Sequence, residues 1–591
     1  MYQSNRTRMY KSIIVLGILF VGMQSAMAQD EKKDNIGTET VTVTKAYTPT
    51  VSDAFKIKSV PNLNDSIVLQ KKKINYSIFS VPVASTFSPS KGTASRVERT
   101  PPPALYNSSA ALGFGNYGNA NADFYTNRTL NRDENLVFGL NHNSSQGGIE
   151  GVQLSDRFSD TKLNGSYIKR DRDLTWGSDL GVQHQFYNWY GLPESGFDDA
   201  TIAAIDDAQN YYMAEASGHI SLEDSFFKRA EANYRRFWDT TKSGENRAVV
   251  NGMFEFPLND ELVTVGAKVD YVGGSFENAG LSNTVNDQGI NYGLLQVGVN
   301  PSLRMLKDDL SLNLGVNLVY GMDLENNEGN FYIYPAVTAS YRLLDETVIA
   351  YGGVTGELRQ NSYYDFVEDN PFVSPTLGIA PTDSQYDAYV GIKGQLLPNL
   401  SYNIKGSYTA ENNSPLFRLN PQNTFRSDKQ GYYYGNSFDV FYDDIKTIGL
   451  FGELNVDVNR NFTLGLNVTV NDYSTETGNP AWNLPNLQSS LFMDYQIGER
   501  WFAGANLFYV GEREDFSSVV VENVLPGGFP TTLITLDGFF DANAHVGYRI
   551  NDQLSVFVQS ANIANNSYQR WANFQVQGFQ ILGGATYKFD F

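Results

Sequence analysis

The chain ends in Gln-Ile-Leu-Gly-Gly-Ala-Thr-Tyr-Lys-Phe-Asp-Phe, Gln580 to Phe591, and the reading of this stretch decides the fold. Counted back from the terminus, Phe591, Phe589, Tyr587 and Ala585 fall on one face, and Asp590, Lys588 and Thr586 on the other. A period of two is that of a β-strand, whose side chains alternate between the faces of a sheet. Such a strand at the end of a chain is either the edge of a soluble all-β domain or the strand that closes a barrel by pairing with the first one.

Working back from the terminus, the same alternation recurs. Leu312, Leu314, Val316, Leu318 and Tyr320 share a face opposite Ser311, Asn313, Gly315 and Asn317. Phe462, Leu464, Leu466, Val468 and Val470 oppose Thr463, Gly465, Asn467, Thr469 and Asn471, and Leu450, Leu454 and Val456 oppose Glu453, Asn455 and Asp457. Small polar residues on the second face suit a hydrated lumen better than the packed interior of a sandwich. The mean hydropathy of -0.34 and the lack of a long apolar run beyond the first residues exclude helical spans. They do not exclude a barrel, in which only alternate residues meet lipid.

Tight polar turns punctuate the strands at Leu130 to Asn135, Arg170 to Asp173, Leu222 to Ser225, Leu258 to Glu261 and Leu306 to Asp309. They continue at Leu344 to Glu346, Leu397 to Asn399, Val458 to Asn461, Ile497 to Arg500 and Ile550 to Gln553. Their Asn, Asp, Arg and Glu residues are the chemistry of short hairpins. Between them lie longer connections, among them Ser144 to Asp160, Gly191 to Asp207, Asn361 to Thr382, Asn412 to Tyr442 and Glu514 to Leu536. Ten short turns with two strands each, plus a first and a last strand, predict a transmembrane antiparallel up-and-down β-barrel of about 22 strands over 105 to 591. The number falls to 20 if the first turn and the very short loop Asn116 to Asn119 are discounted.

This pattern resembles a bacterial outer-membrane barrel: short turns on the periplasmic side, long loops outside, both termini periplasmic, and a final strand (Tyr587, Phe589, Phe591) that pairs with the one starting near Leu105. Trp176, Phe226, Phe227, Phe462, Trp501 and Phe502 follow short turns, while Phe186, Tyr187, Trp189 and Tyr190 precede a long loop. Their positions predict the two aromatic girdles of a membrane barrel. On strand number and topology the segment is similar to the TonB-dependent receptors.

The beginning of the chain fits that location. Arg6, Arg8 and Lys11 precede the apolar run Ile13 to Met23, and Ala26 and Ala28 mark a cleavage site, so 1 to 28 reads as a signal peptide. Residues 29 to 104 read as a periplasmic arm, a truncated plug-like segment. Within it Glu39, Thr40, Val41, Thr42, Val43 and Thr44 alternate β-branched and polar residues, as a strand that adds to a partner's sheet does. The run resembles the TonB box of the same receptors, a resemblance that implies TonB as a partner. The family's plug is a globular domain, whereas the prolines and the Lys71-Lys72-Lys73 run between Thr44 and Pro101 leave too little to build a core. Closure of the lumen is therefore expected from the arm, Pro61 to Arg99, and from long loops folding inward.

Chemistry is sparse. There is no Cys, which removes thiol nucleophiles, disulfides and thiolate metal sites, and the four His (His142, His184, His219, His545) are scattered over separate strands. No enzyme activity, cofactor or metal is expected. A net charge of -21 argues against nucleic acid. One charged group shares a parity, Arg229, Glu231 and Arg235 opposite Ala230, Ala232 and Tyr234, and is expected to project into the lumen. The expected partners are outer-membrane lipid, TonB or other outer-membrane or surface proteins, and the barrel-assembly machinery during insertion. The resemblance implies transport or ligand reception at the outer membrane. The missing plug points to the alternative, a non-transporting scaffold subunit of an outer-membrane complex, and simple diffusion is a third reading.

Overall fold

The computed structural model describes residues 105–193, 197–258, 261–277, 289–422, 429–518 and 531–590. The signal peptide, the arm with its Glu39 to Thr44 run, and Phe591 lie outside the described residues. Among the described residues, 22 antiparallel strands form one closed ring in which each pairs with its neighbours in the chain. The strand Ser108–Gly115 pairs on one side with Ala120–Asn131 and on the other with Gln580–Phe589. In the closing register Ser108 faces Phe589 and Gly115 faces Leu582, and the Asn107 amide donates to Asp590 Oδ1 at 2.9 Å. The ring therefore leaves no edge for another chain to extend.

All ten short turns fall where the polar clusters place them, the first one and the short Asn116 to Asn119 loop included. Asp308 and Asp345 adopt positive φ (48° and 44°), a conformation Asp tolerates better than branched residues do.

The two faces of the wall separate as the alternation requires. Large apolar side chains point outward all round the ring, with Val390 71%, Leu180 66% and Ile333 65% exposed. An apolar belt of that extent needs lipid against it. The inner face carries the small and polar partners, and glycines there let rings lie flat against the wall. A Cβ on Gly547 would come within 2.0 Å of the Phe502 ring, and one on Gly465 within 1.9 Å of the Phe492 ring.

Three expectations need correction. The long loop read as Asn412 to Tyr442 is shorter, because the strands Leu400–Leu419 and Phe438–Asn459 continue well past the membrane. At about 3.4 Å per residue and a tilt near 45°, 22 residues rise about 50 Å, twice the height of an apolar band. The connection Glu514 to Leu536 contains a strand pair of its own, Arg513–Ser518 with Thr531–Leu536. Finally, the aromatic girdle is only partly right. Trp176, Phe226 and Trp501 are exposed on the wall. Phe502 has the opposite parity to Trp501 and turns into the lumen, while Trp189 (2% exposed), Tyr187 and Tyr190 pack against loops. At the strand tops the nearest apolar surface is another loop, not lipid.

Candidate functional site in the capped lumen

The outer mouth, taken as the end with the long connections, is covered by loops that start far apart. The connections 189–207, 360–381 and 562–579 leave the ring after its fifth, thirteenth and twenty-first strands. On a ring of 22 these roots are separated by 8, 8 and 6 strands, close to thirds of the circumference. Loops rooted so can touch one another only by crossing the mouth. They do: Tyr190 packs on Phe574 with ring centroids 4.9 Å apart, and Phe372 stacks on Phe574 at 4.0 Å. Tyr190 Oη donates to the Gln575 carbonyl at 2.8 Å.

The middle loop carries a short helix, Tyr363–Asp369, and this helix is the base of the cap. Tyr363, Phe366 and Val367, at positions i, i+3 and i+4, are buried against Tyr211, Phe237 and Phe276 of the wall. Ser362 caps the helix by accepting from the Asp365 amide at 3.2 Å. Its hydroxyl oxygen also accepts from Arg235 Nη2 at 3.0 Å, which ties the helix start to the barrel.

Around that point the wall supplies a charged cradle. Arg235 and Arg247 are direct cross-strand partners, and Asp365 of the helix bridges them, 3.3 Å from the first and 2.9 Å from the second. Asp270, fully buried, holds Arg247 at 3.0 Å, and Lys268 lies 3.0 Å from the same carboxylate. Glu245, 1% exposed, accepts from Tyr292 Oη at 2.8 Å and from the Tyr363 amide at 2.6 Å. The Arg235 guanidinium also lies 3.9 Å from the centre of the Tyr364 ring. Two adjacent cations are held together by carboxylates from both wall and loop, which latches the helix down. On the helix itself, burial pushes the Glu368 and Asp369 carboxyls up; Glu368 accepts from Gln185 Nε2 at 2.9 Å.

Of the charged group read from the sequence, all three residues have the expected inward parity, with Tyr234 exposed on the lipid face. The structure does not bring them together. Arg229 and Glu231 pair with each other at 2.9 Å, both exposed, and Arg235 alone joins the latch. Tyr587 and Phe589 stack at 5.7 Å on the closing strand, with Tyr587 exposed toward lipid. Ser362, Asp365, Glu245 and Arg247 were not singled out from the sequence. For Ser362 and Asp365 a signal was present, Ser-x-x-Asp opening an apolar i, i+3, i+4 pattern within a long loop; for Glu245 and Arg247 there was none.

The histidines are separate: His142 bonds Thr161 and Ser144, and His184 stacks on Tyr212. Among the described residues no group of three or more His, Asp or Glu is arranged to hold a metal ion.

No protein-family profile and no curated protein matches the chain. Solved structures do. The FpvAI–pyocin S2 complex is similar at 13% identity and a TM-score of 0.60, covering 83% of this chain and 71% of that one. The ferripyoverdine receptor of the outer membrane of Pseudomonas aeruginosa is similar at 14% identity and 0.59, covering 83% and 73%. The siderophore receptor PirA from Acinetobacter baumannii is similar at 12% identity and 0.61, covering 82% and 80%. At such identities the likeness shows the fold. The chain has the 22-stranded barrel architecture of outer-membrane receptors, and its lipid-facing belt fits that membrane.

Proposed function

We propose that the protein is a TonB-dependent-receptor-like barrel of the outer membrane, engaged in transport or ligand reception, whose outer mouth opens when the 360–381 loop leaves its cradle. One observation carries the reading: three loops rooted a third of the ring apart meet over a wide polar lumen and seal it. A barrel of this width would leak without a seal. In this reading residues 1–28 are a cleaved signal peptide, 29–104 a periplasmic arm in place of a full plug, and 105–591 the barrel, with both termini periplasmic. The Glu39 to Thr44 run adds as a strand to TonB.

Planar-bilayer recording tests the seal. The full-length protein should conduct little, and Asp365→Ala should add frequent large openings. A steady large conductance from the unaltered protein would refute the proposal. Deleting residues 39–44 should abolish energised uptake; uptake of every tested ligand at the normal rate would remove TonB from it.

The tightness of the cap also favours the second reading, a closed scaffold subunit, since Tyr363, Phe438 and Val373 are completely shielded from water. Co-purification of stoichiometric partner proteins in mild detergent, with no uptake of any solute, is the outcome that would select it.

A further inference from the structure

The lumen wall is divided chemically. On Phe227–Asp239, Gly244–Leu258 and Glu261–Phe276 the inward side chains near the mouth include Arg235, Arg247 and Asp270, charged and tied to the cap through Asp365. The arc on either side of the closing seam is different. There amides recur among the inward positions: Asn121, Asn143, Asn506, Asn543 and Gln559 border a cleft of about 520 Å³. Their orientation follows from parity, because Trp501, Val546 and Val558, one or more odd steps away, are exposed on the lipid face. Asn121 and Asn143 are cross-strand partners, as are Asn506 and Asn543, so the amides stand in pairs.

These groups have unused capacity. Asn121, Asn143, Asn506 and Gln559 make no side-chain hydrogen bond with any described residue, whereas Asn543 Oδ1 accepts from the Asn562 amide at 3.1 Å and keeps its NH₂ donors. Phe492, the cross-strand partner of Asn506, supplies an apolar face beside them. Its ring lies flat over Gly465, where any Cβ would collide with it, and it remains 38% exposed. Among the described residues that line the cleft there is neither Lys nor Arg, and the titratable side chains are Asp494 and His545. The volume is within the range of small-molecule sites, roughly 300–1,000 Å³.

Amides that both donate and accept match hydroxyl groups, a flat ring matches the C–H face of a pyranose, and a described lining without Lys or Arg disfavours anions. We infer that this arc is a binding subsite for a neutral, hydroxyl-rich solute, a short oligosaccharide, with one sugar ring on Phe492 and its hydroxyls on the paired amides. The inference rests on the proposal that solutes enter the lumen, and it names their class.

Isothermal titration of the full-length protein in detergent with maltohexaose, cellohexaose and N-acetylchitohexaose tests it, with a heparin-derived hexasaccharide as the anionic comparison. At least one neutral hexasaccharide should bind, and Asn506→Leu with Asn543→Leu should weaken that binding tenfold or more. Phe492→Ala should do likewise and Phe492→Tyr should restore it, which separates stacking from a folding defect. Failure of all three neutral sugars to bind overturns the inference. So does equal binding of the heparin fragment, or undiminished binding by the double variant. Binding without cellular uptake would leave the subsite standing and remove the transport reading; uptake of another solute class without sugar binding would do the reverse.

Discussion

Gly547 and Phe502 illustrate how single residues set the wall. An inward ring occupies the space that a side chain on the neighbouring strand would need, and the ring's position depends on the glycine. Gly547→Val should force the Phe502 ring out of place and cost about 1–3 kcal/mol, as overpacking does. The check is the unfolding temperature of the barrel followed by its heat-modified mobility in gels, and an unchanged temperature would count against the account. Asp515 makes a different prediction. It lies on the hairpin strand Arg513–Ser518 beyond the barrel, fully buried, accepting from the Leu419 amide at 3.0 Å and Asn483 Nδ2 at 2.8 Å. Burial pushes its carboxyl up to about 6 despite these bonds. The unfolded value is near 3.9, so the folded hairpin binds more protons between the two. Its stability is therefore greatest below about pH 4, declines as pH rises toward 6, and levels off above. Asp515→Asn should flatten that slope, read as protease sensitivity of the hairpin at pH 4.5 and 7.5; a slope kept by the variant would show that another group is responsible.

At the scale of elements, the cap helix Tyr363–Asp369 is too short to persist alone and is held by its cap residue, its buried face and the arginine pair. Ser362→Ala removes both the N-cap and the contact with Arg235, and should cost the helix about 1 kcal/mol. Faster hydrogen exchange over 360–381, with the barrel strands unaffected, is the expected result; unchanged exchange would place the hold elsewhere. The strands and short turns were legible in the sequence, because a period of two and clusters such as Asn459-Arg460-Asn461 are local properties. The latch was not. Asp365 meets arginines 130 and 118 positions away, and nothing around Arg235 or Arg247 marks that partner. For the same reason Trp189 and Tyr190 looked like girdle residues: their sequence neighbourhood is that of a strand end, and the loops that cover them arrive from elsewhere in the ring.

For the whole molecule, the strand count follows from ten turns and the closure from one register. Because the chain lacks Cys, that register can be read directly. Ala110 faces Tyr587 and Ala111 faces Thr586 across the seam, and facing Cα atoms in antiparallel strands lie about 4.5–5.5 Å apart, within reach of a disulfide. Oxidised Ala110→Cys with Tyr587→Cys, or Ala111→Cys with Thr586→Cys, should lock the barrel so that it keeps its folded mobility after boiling. A pair shifted by one, Ala110→Cys with Thr586→Cys, should not, and locking by that pair instead would break the register.

Strand length has its own bearing on how the molecule meets its surroundings. Leu400–Leu419 begins and Phe438–Asn459 ends at short turns level with those of their neighbours, so their surplus residues all lie toward the long-loop end, where Ser108–Gly115 finishes in one tight turn. The rim is therefore a parapet, tall on one flank and cut low at the seam. In the orientation proposed above, with the long-loop end facing the medium, a phage tail fibre, an antibody or a protease would meet the tall flank first.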